Sequence, residues 1–186
     1  VLDQSNVGAV GVARIAVGEP DGRAMVWCNP QGEERTFTFA GMRDAANRAA
    51  NLFAKAGVTK GDMVMLVLKR HYRFWPCILA LHKRGAVGVP ATNLLTVKDY
   101  VYRFGAAGVK YVVATAEGEV TARVEEAEKL SGNPLAGKMV VRGSRDGWTD
   151  FDTAVESESD EYERVETSSQ DMLLLYFTSG TTGMPK

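Results

Sequence analysis

Cysteine and histidine each occur only twice in 186 residues. Cys28 and Cys77 form no CxxC pair, and His71 and His82 have no cysteine or carboxylate at ligand spacing. Neither a disulfide framework nor a zinc site is therefore expected. The thiols read as reduced and partly buried, which points to a cytoplasmic protein. The two imidazoles read as structural or surface groups. Net charge is nearly absent at −1, so no global field draws the chain to nucleic acid or to an anionic membrane. No run reaches the 18 or so apolar residues of a membrane span. The apolar run 7–17 is Gly-rich, is broken by Arg14 and lacks the basic start of a signal peptide. Position 1 carries no initiator Met and Lys186 directly follows a motif, so the chain reads as incomplete.

What is present is ordinary for a globular domain: 45% hydrophobic and 24% charged residues. The length suffices for one domain with a core. Charge is uneven along it. Residues 60–110 carry nine Lys or Arg against Asp62 and Asp99, and residues 117–171 carry the reverse excess.

Residues 23–28 and 33–39 are rich in Val, Trp, Thr and Phe and read as a hairpin. Asn29-Pro-Gln-Gly32 suits a type I turn between them, because Pro presets φ near −65°. Thr38 then caps a helix. Met42, Ala45, Ala49, Leu52, Phe53 and Ala56 form its apolar face, Asn47, Arg48, Asn51 and Lys55 lie on its polar face, and Gly57 ends it. An alternation follows: strand 63–68, helix 72–84, strand 86–90, a helix opened by Thr96 and Asp99, strand 111–114, helix 117–130 and strand 138–142. This rhythm predicts an α/β fold, a Rossmann-like wound, mainly parallel sheet flanked by helices. Residues 143–170 are acidic and read as a solvated connector with a short helix near 151–155. They lead to a last buried strand at 172–177. The chain thus divides into 23–142 (hairpin and βα units), 143–170 (connector) and 171–186 (strand and loop), all within one domain.

The segment Thr178-Ser-Gly-Thr-Thr-Gly-Met-Pro-Lys186 holds four hydroxyl residues, two glycines and a lysine. Glycines let backbone N–H groups turn inward, hydroxyls add donors and an ammonium offsets phosphate charge. This composition suits a phosphate cradle, and an ordinary Ser/Thr/Gly loop shares it. Spacing excludes the Walker A loop, since Gly180 and Gly183 are three apart and Pro185 precedes Lys186. It also excludes the Gly-x-Ser-x-Gly elbow around Ser179 and a Gly-x-Gly-x-x-Gly fingerprint, which position 178 breaks.

Residues 178–186 resemble, at every position, the phosphate-loop signature of the adenylate-forming superfamily: acyl-CoA synthetases, adenylation domains of peptide synthetases and firefly luciferase. Residues 38–57, Gly61-Asp62, the stretch from Gly85 to Pro90, and Asp171 are similar to that family's pattern. Leu95-Thr-Val-Lys-Asp-Tyr-Val-Tyr-Arg103 and Tyr176-Phe177 look like the medium-chain and acetyl-type acyl-CoA synthetases. The resemblance implies that a carboxylic acid attacks the α-phosphorus of Mg-ATP and that a thiol, usually of CoA, then displaces AMP. It implies that Thr178, Ser179, Thr181 and Thr182 donate hydroxyls to ATP. Gly180 and Gly183 would permit the backbone approach, and Lys186 would offset phosphate charge. Catalytic and Mg2+-placing residues are expected beyond position 186, in a C-terminal remainder that activity requires, and no metal ligand is assigned here. Two other outcomes stay open: an adenylation domain that loads a carrier-protein thiol, and a non-catalytic nucleotide-binding remnant. The basic–aromatic run 69–75 superficially suggests nucleic-acid stacking. It reads instead as a strand end entering a helix whose Phe74 and Trp75 face the core, so no nucleic-acid partner is expected.

Overall fold

The computed structural model describes residue 12 and residues 15–178. Strands β1 (Arg23–Cys28) and β2 (Glu34–Thr38) pair antiparallel. In their turn, Gly32 N donates to Asn29 O at 3.0 Å. The Asn29 side-chain oxygen also accepts from the backbone N–H groups of Gln31 and Glu33. Asn is thus needed at the first position for its second acceptor. Helix α1 (Phe39–Lys55) starts where Thr38 Oγ1 accepts from Gly41 N at 3.0 Å.

The alternation then builds β3 (Met63–Val67), α2 (Phe74–Arg84), β4 (Val87–Pro90), α3 (Val97–Ala107), β5 (Val109–Thr115), α4 (Val120–Ser131) and β6 (Gly137–Val141). The two-residue β7 (Thr149–Asp150) and α5 (Phe151–Glu156) follow. Strands pair in the order β4-β3-β5-β6-β7, all parallel. Strand β7 was not foreseen because two residues carry no periodicity. Period 2 splits the apolar strands between two cores. Val64, Leu66, Val113 and Val141 pack with α1, α2 and α5. Met65, Val67, Val112 and Val140 pack with α3 and α4. Both faces are covered, which is why β3 tolerates no polar residue.

Side-chain clamps fix the strand ends. Asp62 accepts from Thr59 N and Oγ1, both at 2.8 Å, and from Lys110 Nζ at 2.6 Å, tying the start of β3 to that of β5. Burial pushes its carboxyl upward, but these donors outweigh it and hold the pKa below the ordinary value. On α4, Glu125 accepts from Arg145 at 2.6 and 2.8 Å and from Trp148 Nε1 at 2.8 Å, pinning the β6–β7 loop.

Three expectations need correction. The polar face of α1 is a docking face. Asn47, 7% exposed, donates to Asp160 O, Arg48 to Glu158 O, and Asn51 to Ser159 O and Glu161 O. The connector keeps most of its side chains exposed, as a solvated linker does, and is also a strap held chiefly through its backbone carbonyls. Val165 N adds a bond to Lys83 O, and Lys60 reaches Glu166 O and Asp171. On α1 itself, Ala46 and Ala50 are buried whereas Ala45 is half-buried and Ala56 exposed, because the connector rotates the covered face. Trp75 is 53% exposed rather than in the core, whereas its neighbour Phe74 packs against the core, so only one of the two rings lies on the covered face of α2. His71 and His82 are both buried, the structural alternative for each.

Arg145 foremost, with Trp148 assisting against burial, lowers the Glu125 pKa to about 2. Its stabilisation is complete above pH about 4.5 and is lost as pH falls toward about 2. In the full-length protein Glu125→Gln should lower the denaturant midpoint at neutral pH and remove that acid-dependent component. Parallel midpoint-versus-pH curves for the two proteins would contradict it.

Candidate functional site

The chain leaves β3 for β4 on one side and then crosses to β5 on the other. This makes the carboxyl ends of β3 and β5 the switch point where wound sheets leave a crevice. A cleft of about 1150 Å³ opens there, walled by Leu68, Thr115 and Pro90 at the strand ends and by Trp27 of the hairpin.

The turn that follows β3 is unusual. His71 N donates to Leu68 O at 2.7 Å, and the two central residues, Lys69 and Arg70, have φ of 35° and 55°. Asn-Gly is the normal occupant of such a pair. A left-handed conformation costs a residue with a Cβ about 1–2 kcal/mol. Trp27 holds the strained turn by donating Nε1–H to Arg70 O at 2.7 Å. The indole also packs edge-on against His71 and Tyr72, with centroids 5.6 and 5.2 Å away. Burial lowers the His71 pKa to about 4, with smaller opposing effects of neighbouring charges, so its ring is neutral at pH 7. Its Nδ1 accepts from Arg73 N at 3.3 Å.

Arg142, just past β6, is the third non-glycine residue with positive φ among the described residues, at 63°. Asp152 holds its backbone N–H at 2.8 Å. Its guanidinium lies 3.1 Å from Glu117, which Lys69 Nζ approaches at 3.4 Å. Lys69, Arg70, Arg142 and Glu117 all line the cleft. Sequence reasoning missed the three cations as a group. The available signal was Lys-Arg directly after an all-apolar strand, where a turn residue belongs.

The final segment corrects a further expectation. Residues 172–177 are not a buried strand. One parallel bridge, Leu174 with Gly88, joins them to the free edge of β4 through Gly88 N to Leu173 O (3.2 Å) and Leu175 N to Gly88 O (3.0 Å). Exposure alternates: Met172 and Tyr176 are 52% and 60% exposed, while Leu175 and Phe177 pack against the core. Gly88 makes the contact possible, since a Cβ there would lie 2.4 Å from Ile78 Cδ1 and 3.3 Å from Leu174 Cδ2. Phe177 is gripped by α3. Arg103 stacks over its ring at 5.0 Å and Tyr102 meets it edge-on at 6.1 Å. Arg103 is in turn fixed by Asp99 O at 3.1 Å, and Asp99 completes the capping box with Thr96.

Because the segment runs parallel to β4, Thr178 emerges, exposed, at the same carboxyl edge as the cleft. Ser179, Gly180, Thr181, Thr182, Gly183 and Lys186 lie outside the described residues. Among the described residues no group of three His, Cys, Asp or Glu is placed to hold a metal ion. None of the described helices is long and apolar enough to cross a membrane.

Residues 12–186 match the family described as AMP-binding enzyme. The chain belongs to that family. It is 37% identical over 169 residues to acyl-coenzyme A synthetase ACSM4, mitochondrial, of Rattus norvegicus, covering 90% of this chain and 29% of that protein. It is 35% identical over 167 residues to acyl-coenzyme A synthetase ACSM1, mitochondrial, of Homo sapiens, covering 88% and 28%. The chain therefore spans under a third of the length of these curated relatives. Among solved structures, an acyl-CoA synthetase of Brucella canis superposes with a TM-score of 0.81 at 27% identity, covering 96% of this chain and 32% of that one. The inhibitor-bound N-terminal domain of FACL13 from Mycobacterium tuberculosis gives 0.79 at 26%, covering 98% and 43%. The wound parallel sheet is thus the N-terminal architecture of this AMP-binding family.

Arg103→Ala should loosen Phe177 and raise amide hydrogen exchange at residues 174–178 roughly threefold to tenfold, the range of one cation–π contact. Unchanged exchange there would show that the single bridge to Gly88 suffices.

Proposed function

We propose that the full-length protein is an AMP-forming acyl-CoA synthetase. It activates a short- or medium-chain carboxylic acid with ATP to an acyl-adenylate, releasing pyrophosphate, and then transfers the acyl group to the thiol of CoA, releasing AMP. The observation that carries this reading is the complete motif Thr178-Ser-Gly-Thr-Thr-Gly-Met-Pro-Lys186, launched from the carboxyl edge of a wound sheet in an AMP-binding family member. The names of the mammalian relatives support the choice of acid ligase. Those relatives are also named mitochondrial, so they lend no support to a cytoplasmic location.

In this reading the loop residues hold the β- and γ-phosphates while the carboxylate attacks the α-phosphorus. Hydroxyls of Thr178, Ser179, Thr181 and Thr182 donate to phosphate oxygens, Gly180 and Gly183 keep the backbone close, and Lys186 balances charge. This is catalysis by positioning and charge stabilisation. Magnesium, when bound with ATP, would neutralise phosphate charge. Its ligands and the groups acting on the acid belong to the remainder of the chain.

The test is acid-dependent exchange of pyrophosphate into ATP, measured on the full-length protein with a chain-length series of acids. Exchange is expected with one length class, and CoA should then release AMP. Lys186→Glu combined with Gly180→Asp should lower exchange by about a hundredfold or more. Exchange at the unmodified rate in that variant would remove the loop from the mechanism. Exchange without CoA-driven AMP release would move the acceptor to a carrier-protein thiol. The 1–186 polypeptide alone should show no exchange.

A further inference from the structure

We propose that Lys60 is a positioning residue for the glycine-rich loop: its ion pair with Asp171 fixes the register at which residues 172–177 join the edge of β4, and so the point at which Thr178 enters the loop. The inference rests on reading residues 178–186 as the loop that holds the phosphates of ATP. The register needs a lock from outside because the segment does not specify it. Residues 172–177 read Met-Leu-Leu-Leu-Tyr-Phe. A strand of alternating polarity resists slippage, since a one-residue shift turns its apolar set toward water. Here every residue is apolar or aromatic, so a shifted segment still offers Leu or Tyr to the core. Among the described residues, one bridge at Gly88 opposes the shift. A one-residue slip moves the chain by about 3.3 Å along the strand. Misplacement by about 1 Å can cost a reaction about a hundredfold in rate.

Lys60 is placed to hold the start of the segment. It stands just before β3, Asp171 stands just before Met172, and β4 lies between them. Lys60 Nζ meets Asp171 Oδ2 at 2.7 Å and donates to Glu166 O at 3.1 Å, so one ammonium gathers both ends of residues 166–171. The same carboxylate oxygen accepts from Ser168 N at 2.8 Å, and Asp171 N donates to Ser168 O at 3.2 Å, closing a turn directly ahead of the segment. The Lys60 contact foremost, with Ser168 N assisting, holds the Asp171 carboxyl below its ordinary pKa. Gly85 supplies an independent observation. A Cβ there would lie 3.0 Å from both Lys60 Cγ and Thr167 Cγ2, so the missing side chain lets the lysine stem and the strap meet at the end of α2. Gly61 N donates to Gly85 O and Val87 N to Asp62 O, both at 2.9 Å, which ties the base of Lys60 to the start of β4. The lysine therefore sets the segment against β4 itself.

The test uses the full-length protein. Lys60→Met keeps the stem without the charge, Lys60→Arg restores the charge, and Asp171→Asn keeps an oxygen for Ser168 N. Both ions are partly exposed, so the pair is weak and its loss should have a moderate effect. Amide hydrogen exchange at Gly88 and Leu175, the two donors of the bridge, should quicken about twofold to fivefold in Lys60→Met and in Asp171→Asn. The dissociation constant for ATP, measured by calorimetry, should rise by about the same factor. Lys60→Arg should match the unmodified protein. At about 1 M salt the variants and the unmodified protein should converge, because screening removes the pair from all of them. A difference that persists in salt or in Lys60→Arg would assign the effect to packing of the stem and overturn the lock. The double variant should lose no more than either single one, and additive losses would show that the two residues act apart. Unchanged exchange at both amides would refute the register claim. Faster exchange with unchanged ATP affinity would refute its bearing on the loop. Failure of the unmodified protein to bind ATP would instead sink the phosphate-loop reading, on which exchange at Gly88 and Leu175 does not depend.

Discussion

Parallel pairing around β3 places the carboxyl ends of β3, β4, β5 and β6 on one edge, and the other features of the site depend on that edge. With both faces of β3 buried under helices, its residues can only be apolar, so every polar group that acts must come after the strand ends. Leu68 is the last apolar residue before Lys69, and Val141 the last before Arg142. The hairpin closes the edge from outside, because Trp27 reaches the Arg70 carbonyl and keeps the turn in a conformation its side chains disfavour.

Much of this was legible in the sequence because the governing signals are local. Thr38 and Thr96 cap as their neighbours require, and Asn29 organises its turn. The apolar runs at β3 and β5 could only be covered strands. Contacts across more than a hundred residues were not legible. Asn47, Arg48 and Asn51 read as a solvent face since amides and guanidinium groups suit water, yet the connector supplies carbonyls at the matching spacing. The same limit explains Trp75: periodicity names a helix face but not how far round the helix the covering elements reach. The phosphate-loop residues were named from composition and resemblance. Of these the described structure reaches only Thr178, placing it at the carboxyl edge.

How Thr178 is held there is an argument about weak pairing. A single bridge to Gly88 gives residues 172–177 little ladder to lean on, and their outward side chains gain nothing from the core. The exit direction of the loop is therefore set by Phe177, and Phe177 is set by α3. The Thr96–Asp99 box fixes the first turn of α3, the Asp99 carbonyl and carboxylate orient Arg103, and Arg103 covers the Phe177 ring. Each link lies within hydrogen-bonding or ring-stacking reach of the next, so the cap of α3 helps to define where the chain arrives at Thr178. Leu95–Arg103 and Tyr176-Phe177, far apart in sequence, meet through that connection. They are two sides of one contact, and changing either alone would leave the other without its partner.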